Sequence, residues 1–251
     1  MSDVKNMTFW EHLDELRGSL FRMLAAVALM SVAAFAFKQI LFDVVLAPTN
    51  SEFITYRILG SEPFQIHLIN TQLTEQFMVH LRMAAYVGFL AASPYLLYEL
   101  FRFISPALYQ NERKYTIMVI GAAYLMFIIG TLVNYFLVFP LTVRFLGTYQ
   151  VSEDVSNMLT LDSYADTLMM MCLVIGIVFE LPVISALLAK LRLISSDIMK
   201  RFRRHALVVI LIVAAIITPT ADIFTLLIVA MPIWLLYEAS IAIVTIIQKQ
   251  D

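Results

Sequence analysis

Residues Leu168 to Leu188 read LMMMCLVIGIVFELPVISALL, an apolar run whose single charge, Glu180, sits near its middle. A run of this length suits a helix crossing the ~30 Å hydrocarbon core of a bilayer. A carboxylate at such depth is tolerated when it is protonated, partnered or facing water. Glu180 therefore reads either as a neutral acid hydrogen-bonded to another helix or as the polar point of a hydrophilic cavity. Pro182 follows two residues later, and the backbone N–H it lacks predicts a kink.

Working outward, the same character recurs along the chain. Of 251 residues, 61% are hydrophobic and only 14% charged, with a mean hydropathy of +0.84. Soluble domains carry roughly a quarter charged residues, so the composition predicts a polytopic membrane protein with little room for a separate soluble domain. Further apolar runs cover Leu20 to Phe37, Met83 to Leu100 (with Pro94 inside) and Tyr115 to Phe139. Two short ones follow: Ala206 to Ile217, and Ile223 to Ile247 broken by Pro232 and Glu238. The pattern predicts an all-α protein of six transmembrane helices over about 18–38, 80–101, 115–138, 164–188, 205–218 and 223–246, forming one membrane domain over 1–251. The fifth and sixth helices are short. A twelve-residue run rises ~18 Å against a ~30 Å core, so it needs sheltering neighbours or a thinned bilayer.

Placing both termini inside assigns thirteen of the seventeen Lys and Arg residues to the inner side; only Lys38, Arg57, Arg82 and Arg144 fall outside. The positive-inside rule thus predicts cytoplasmic N- and C-termini. The N-terminus is polar and mixed in charge through Arg22, without the short apolar core and small-residue cleavage site of a signal peptide, so the first span is expected to be retained. The lone cysteine, Cys172, lies in an apolar run and leaves no intrachain disulfide.

Ahead of the first span stands Thr8 to Leu20, TFWEHLDELRGSL. As a helix, Phe9, Leu13, Leu16 and Leu20 form one stripe, with Glu11 and Glu15 opposite. Those two acids lie one turn apart, where like charges repel by a few tenths of a kcal/mol. Position 19, one turn on, is Ser19 and not a base. Thr8 with Glu11 fits a capping box, which accounts for Glu11. Glu15, two turns in, is left as an uncompensated carboxylate at the inner mouth of a span, suited to a cationic partner from outside the chain.

Other charged positions have structural readings. Glu112 precedes Arg113 and Lys114 and opens the third span as an N-terminal acid or a local ion pair. Pro106 and Tyr109 shape the same loop. Asp222, after the Thr218-Pro219 turn, reads as a cap for the sixth span, and Asp162 as a cap for the fourth. Glu238 reads as interfacial, and Glu99 is expected to pair with Arg102 at i, i+3. Enzymatic arrangements are missing from the sequence. His12, His67, His80 and His205 show no metal-ligand spacing, and there is neither a Gly-x-Ser-x-Gly elbow nor a phosphate-cradling glycine loop. No enzyme activity, cofactor or nucleic-acid partner is expected. The fourteen methionines, Met169 to Met171 included, read as packing residues.

Several segments together resemble the TatC family, the core membrane subunit of the twin-arginine protein translocase. They are His12-Leu13-Asp14-Glu15-Leu16-Arg17; Phe103 through Ser105-Pro106-Ala107-Leu108-Tyr109 to Glu112-Arg113; Tyr135-Phe136-Leu137-Val138-Phe139-Pro140; and Phe179-Glu180-Leu181-Pro182. Pro48 in Leu46-Ala47-Pro48, the Thr218-Pro219 turn with Asp222, and Pro232 with Glu238 extend the match in the family's order. The resemblance implies a glove-like bundle whose concave face holds the mid-membrane Glu180. It implies recognition of signal peptides with consecutive arginines on folded cargo, by Glu15 and Glu112, helped by Phe103, Leu16 and Arg17. It implies recruitment of single-span TatA/TatB-type partners at the short spans, self-association, lipid contact and export driven by the proton-motive force across a bacterial inner membrane. Pro48, Pro106, Asp162, Asp222, Thr218 and Glu238 become structural or partner-docking positions. Relatives often carry Gln where this chain has Leu226, and Thr225 is expected to supply that polar contact. The alternative from the residues is a proton-coupled secondary transporter using Glu180; the absence of a matched pair of interrupted spans in the two halves speaks against it.

Overall fold

A computed structural model of the chain describes residues 9–60, 62–64, 66–108, 113–149, 158–218 and 222–250. It is almost entirely helical. The long elements are α1 (Phe9–Ala36), α4 (Glu75–Leu108), α5 (Arg113–Val133), α7 (Leu161–Val178) and α11 (Ile223–Gln250). Between them lie α2 (Lys38–Leu46), α3 (Ile54–Ile58), α6 (Phe139–Thr148), α8 (Leu181–Lys190), α9 (Ser196–Arg201) and α10 (Arg203–Ile217). Two short parallel strands, β1 (Leu68–Ile69) and β2 (Leu159–Thr160), tie the segment before α4 to the segment before α7.

Among the described residues, four helical stretches are long and apolar enough to cross a membrane: Leu13–Ala36, Met118–Thr148, Leu161–Lys190 and Ile223–Lys249. The chain is a multi-pass, all-α membrane protein. Helix α4 is longer still but carries Glu75, Arg82, Glu99 and Arg102. Helix α10, at 15 residues, rises only about 22 Å.

Helix α1 lies along α4, and the two come close together at Gly88. A Cβ there would stand 2.3 Å from Ser31 Oγ and 2.4 Å from its backbone N. Glycine lets the backbones approach, as in membrane helix pairs generally. The α5–α7 contact is reciprocal. The Phe127 ring of α5 lies over Gly176 of α7, and Phe179, just past α7, lies over Gly130 of α5.

Prolines interrupt the helices, and hydroxyls repair them. Pro140 has no N–H for the Phe136 carbonyl four residues back, and Thr55 Oγ1 donates to that carbonyl instead. A π-helical turn, Asn134–Val138, absorbs the misfit, so the helix runs past the proline into α6. Pro94 similarly frees the Leu90 carbonyl, which takes the Ser93 hydroxyl at 2.7 Å. At Pro48, which ends α2, the exposed carbonyls are taken in turn: Val44 by Tyr135, Val45 by Tyr164, Leu46 by Thr49 and Pro48 by Tyr56. A helix end in an apolar setting needs such partners. The same Tyr56 hydroxyl lies 2.9 Å from the Pro140 carbonyl, so its one proton is shared between the two proline sites. The segment 38–82, which reads as a polar loop, is thus a folded cap with the buried apolar residues Leu41 and Val45 in α2.

The structure corrects the assignment of Asp162 as a cap. Thr160 caps α7, its hydroxyl accepting from Ser163 N. Asp162 lies in the first turn and pairs, with Asp166, to Arg82 of α4. Its backbone N–H goes to Glu75. The Glu75 carboxylate, just outside the expected second span, also accepts from Thr71 N, Thr71 Oγ1 and Gln72 N. These donors, the Thr71 backbone N–H foremost, hold it below the usual carboxylate range against the opposing effect of desolvation.

Candidate functional site

Helix α1 positions the predicted recognition residues. Leu16 is exposed, Glu15 half-buried, and Arg17 lies over the Phe21 ring at 5.7 Å. Glu15 has no ion-pair partner among the described residues. One turn further along, Ser19 is buried and accepts from Arg22 Nη2 at 2.9 Å. The same guanidinium meets Glu99 of α4 as a fork: Nε to Oε1 at 3.1 Å and Nη2 to Oε2 at 2.9 Å. Tyr95 adds a bond to Glu99 Oε1 at 3.0 Å. Glu99 is only 2% exposed.

This network replaces the expected Glu99–Arg102 pair. Glu99 is buried against α1, where Arg22 can reach it; Arg102 is exposed. A signal was present in the sequence, since Arg22 is a charge inside the first apolar run and such a charge calls for a partner. The register is antiparallel: Ser31 meets Gly88, and Arg22 meets Glu99. Continued toward the start of α1, it puts Glu15 level with Pro106, near the connection from α4 to α5. Glu112 lies in that connection, outside the described residues. Phe103 and Pro106 belong to α4 by backbone, while their side chains lie outside the described set.

Glu180 sits at a two-residue break, Phe179–Glu180, with α7 ending at Val178 and α8 starting at Leu181. Phe179 N–H still reaches Ile175 O and Glu180 N–H reaches Ile177 O, so the helix tightens without separating. Glu180 Oε1 is buried with no hydrogen-bond partner among the described residues.

The remaining predicted positions hold the bundle together. Pro48 is buried in the α2 cap. Asp222 accepts from Thr225 N at 2.8 Å and from Thr225 Oγ1 at 2.5 Å, in the manner of a helix N-cap. Thr225 is fully buried in that interaction, so it does not offer an outward polar contact, contrary to expectation. Thr218 is buried and bonds back to Ala214 O; the adjacent 219–221 lie outside the described residues. Glu238, expected at the interface, accepts from Arg203 Nη2 at 2.6 Å, linking α11 to the start of α10. No cluster of three His, Cys, Asp or Glu suited to a metal occurs among the described residues.

An all-helical chain with four stretches long and apolar enough to cross a membrane among its described residues belongs to the class of polytopic membrane proteins. The comparisons specify it further. The family model described as "Sec-independent protein translocase protein (TatC)" matches residues 11–232. A protein of that name from Blattabacterium is 34% identical, the alignment covering 100% of both chains. One from Aquifex aeolicus is 34% identical over 94% of this chain and 93% of its own. A crystal structure described as the twin-arginine translocase receptor TatC superposes with a TM-score of 0.80 at 32% identity, covering 95% of this chain and 100% of that one. The chain belongs to the TatC family, components of the Sec-independent protein translocase.

Proposed function

We propose that this chain is the signal-peptide receptor and assembly core of a twin-arginine translocase. The observation that carries the reading is the state of Glu15. It stands near the start of α1 with no ion-pair partner among the described residues, while Arg22, the cation on its own face, is already held by Glu99. A carboxylate at Glu15, acting with a second one at Glu112, suits an incoming pair of arginines. Each guanidinium offers a planar fork that a lysine does not. Phe103, Leu16 and Arg17 complete the contact surface.

In this reading six helices cross the bacterial inner membrane: α1, α4, α5 with α6, α7 with α8, α10 and α11. Both termini are cytoplasmic. The Glu180 carboxyl, whose buried Oε1 has no partner among the described residues, meets the apolar part of the signal peptide or a partner helix. Single-span TatA/TatB-type proteins dock near α10 and α11, other copies of the chain and lipid contact the remaining surface, and the proton-motive force drives export of folded cargo. Pro48, Pro106, Asp162, Asp222, Thr218 and Glu238 keep the docking surfaces in shape.

The test is binding of a fluorescent Arg-Arg signal peptide to the purified chain, against its Lys-Lys twin. Wild type is expected to select Arg-Arg; Glu15→Ala and Glu112→Ala are expected to abolish binding while the protein still inserts. Undiminished binding by the double variant refutes the site.

A further inference from the structure

Glu15, Ser19 and Arg22 share one face of α1, at i, i+4 and i+7. Arg22 does not extend away from Glu15. Its guanidinium folds back along the helix, with Nη1 standing 3.4 Å from where a Cβ on Gly18 would be and Nη2 bonded to Ser19. Residues 15, 18 and 19 are neighbours on a helix surface, about 5–6 Å between Cβ positions. The positive charge therefore rests on the Glu15 side of its own Cα, at the level of residues 18 and 19, one turn from residue 15. The fork to Glu99 is what holds it there.

We infer that Glu99 is a positioning residue for signal recognition: by clamping Arg22, it keeps an internal arginine from occupying Glu15. This rests on the reading of Glu15 as a signal-arginine site. Arg22 is an in-chain mimic of the ligand, with the same guanidinium and effectively high local concentration. Two carboxylates compete for it. Glu99 wins because it is buried, receives both arms of the fork and is steadied by Tyr95. Neutralising Glu99 removes the charge that attracts Arg22 and leaves Glu15 as the carboxylate on the same face of α1. Glu15 is then partly self-occupied, and apparent affinity falls by the fraction that stays free.

The experiment measures anisotropy of a fluorescent Arg-Arg signal peptide with the full chain in lipid nanodiscs, for wild type, Glu99→Gln, Arg22→Gln with Glu99→Gln, and Glu15→Gln. Glu99→Gln keeps the shape and the Tyr95 bond. It is expected to weaken binding about fivefold, the upper range for an exposed ion pair forming at Glu15. The double variant removes the competitor as well, and binding is expected to return to within about twofold of wild type. Unchanged affinity in Glu99→Gln overturns the inference, and so does failure of the double variant to recover, which marks Glu99 as merely structural. If Glu15→Gln itself binds as wild type, the underlying site reading is overturned instead. Size-exclusion profiles of the four proteins verify folding.

Discussion

The close approach of α1 and α4 at Gly88 makes a sharp prediction for Gly88→Ala. The added Cβ would lie 2.3 Å from Ser31 Oγ, 2.4 Å from Ser31 N and 2.6 Å from Ser31 Cα. Ordinary carbon contacts lie at about 3.5–4.0 Å, so the helices must separate by ~1 Å. The hydroxyl alone could rotate away, but the backbone atoms cannot. Overpacking of this kind costs about 1–3 kcal/mol, and for a chain of this size each kcal/mol lowers Tm by ~2–4 °C. Gly121 is the internal control, since a Cβ there meets nothing within 4 Å. Gly121→Ala should leave Tm unchanged or raise it slightly, because alanine favours helix over glycine by about 1 kcal/mol. The assay is thermal unfolding followed by fluorescence-detected size exclusion in detergent. Gly88→Ala is expected to lose about 2–12 °C. Equal stability of the two variants would refute the claim that α1 is seated on α4 through this glycine.

Two further predictions concern the opposite end of the bundle and its prolines. Glu75 has a depressed folded-state pKa, so its contribution to stability is present above the ordinary carboxylate value of 4.5 and is lost as pH falls below that value toward the depressed one. Glu75→Gln should therefore flatten the acid limb of Tm against pH, and an unchanged limb would show that its four donors do not matter. Thr55→Val removes the hydroxyl that serves the Phe136 carbonyl freed by Pro140; a loss of about 1–3 kcal/mol is expected in the same unfolding assay, and no loss would mean that the carbonyl finds another donor.

Much of the helical architecture was legible in the sequence because long apolar runs permit little else in a membrane. What escaped is instructive. Pro140 reads as the end of a helix, yet the helix passes through it into α6, because Thr55, 81 residues earlier, supplies the missing donor. The segment 38–82 reads as polar, although KQILFDVVL in α2 spaces its apolar residues for one buried face. Glu99 was assigned to its neighbour Arg102, whereas the guanidinium that takes it lies on another helix; local spacing is blind to such a pair. Of the recognition residues, Glu15 stood out from its pattern alone. Glu112 lies outside the described residues, and Phe103 drew attention through family resemblance alone.

The reciprocal seating of Phe127 on Gly176 and Phe179 on Gly130 has a mechanical consequence. Two rings lodged in two opposed notches oppose translation of one helix along the other, since any slide must lift both rings out together. The height of Glu180 in the membrane is accordingly pinned to α5, one residue from a lodged ring. Helix α8 leaves that fixed point to pack along α11, so the same two notches set the level at which it starts.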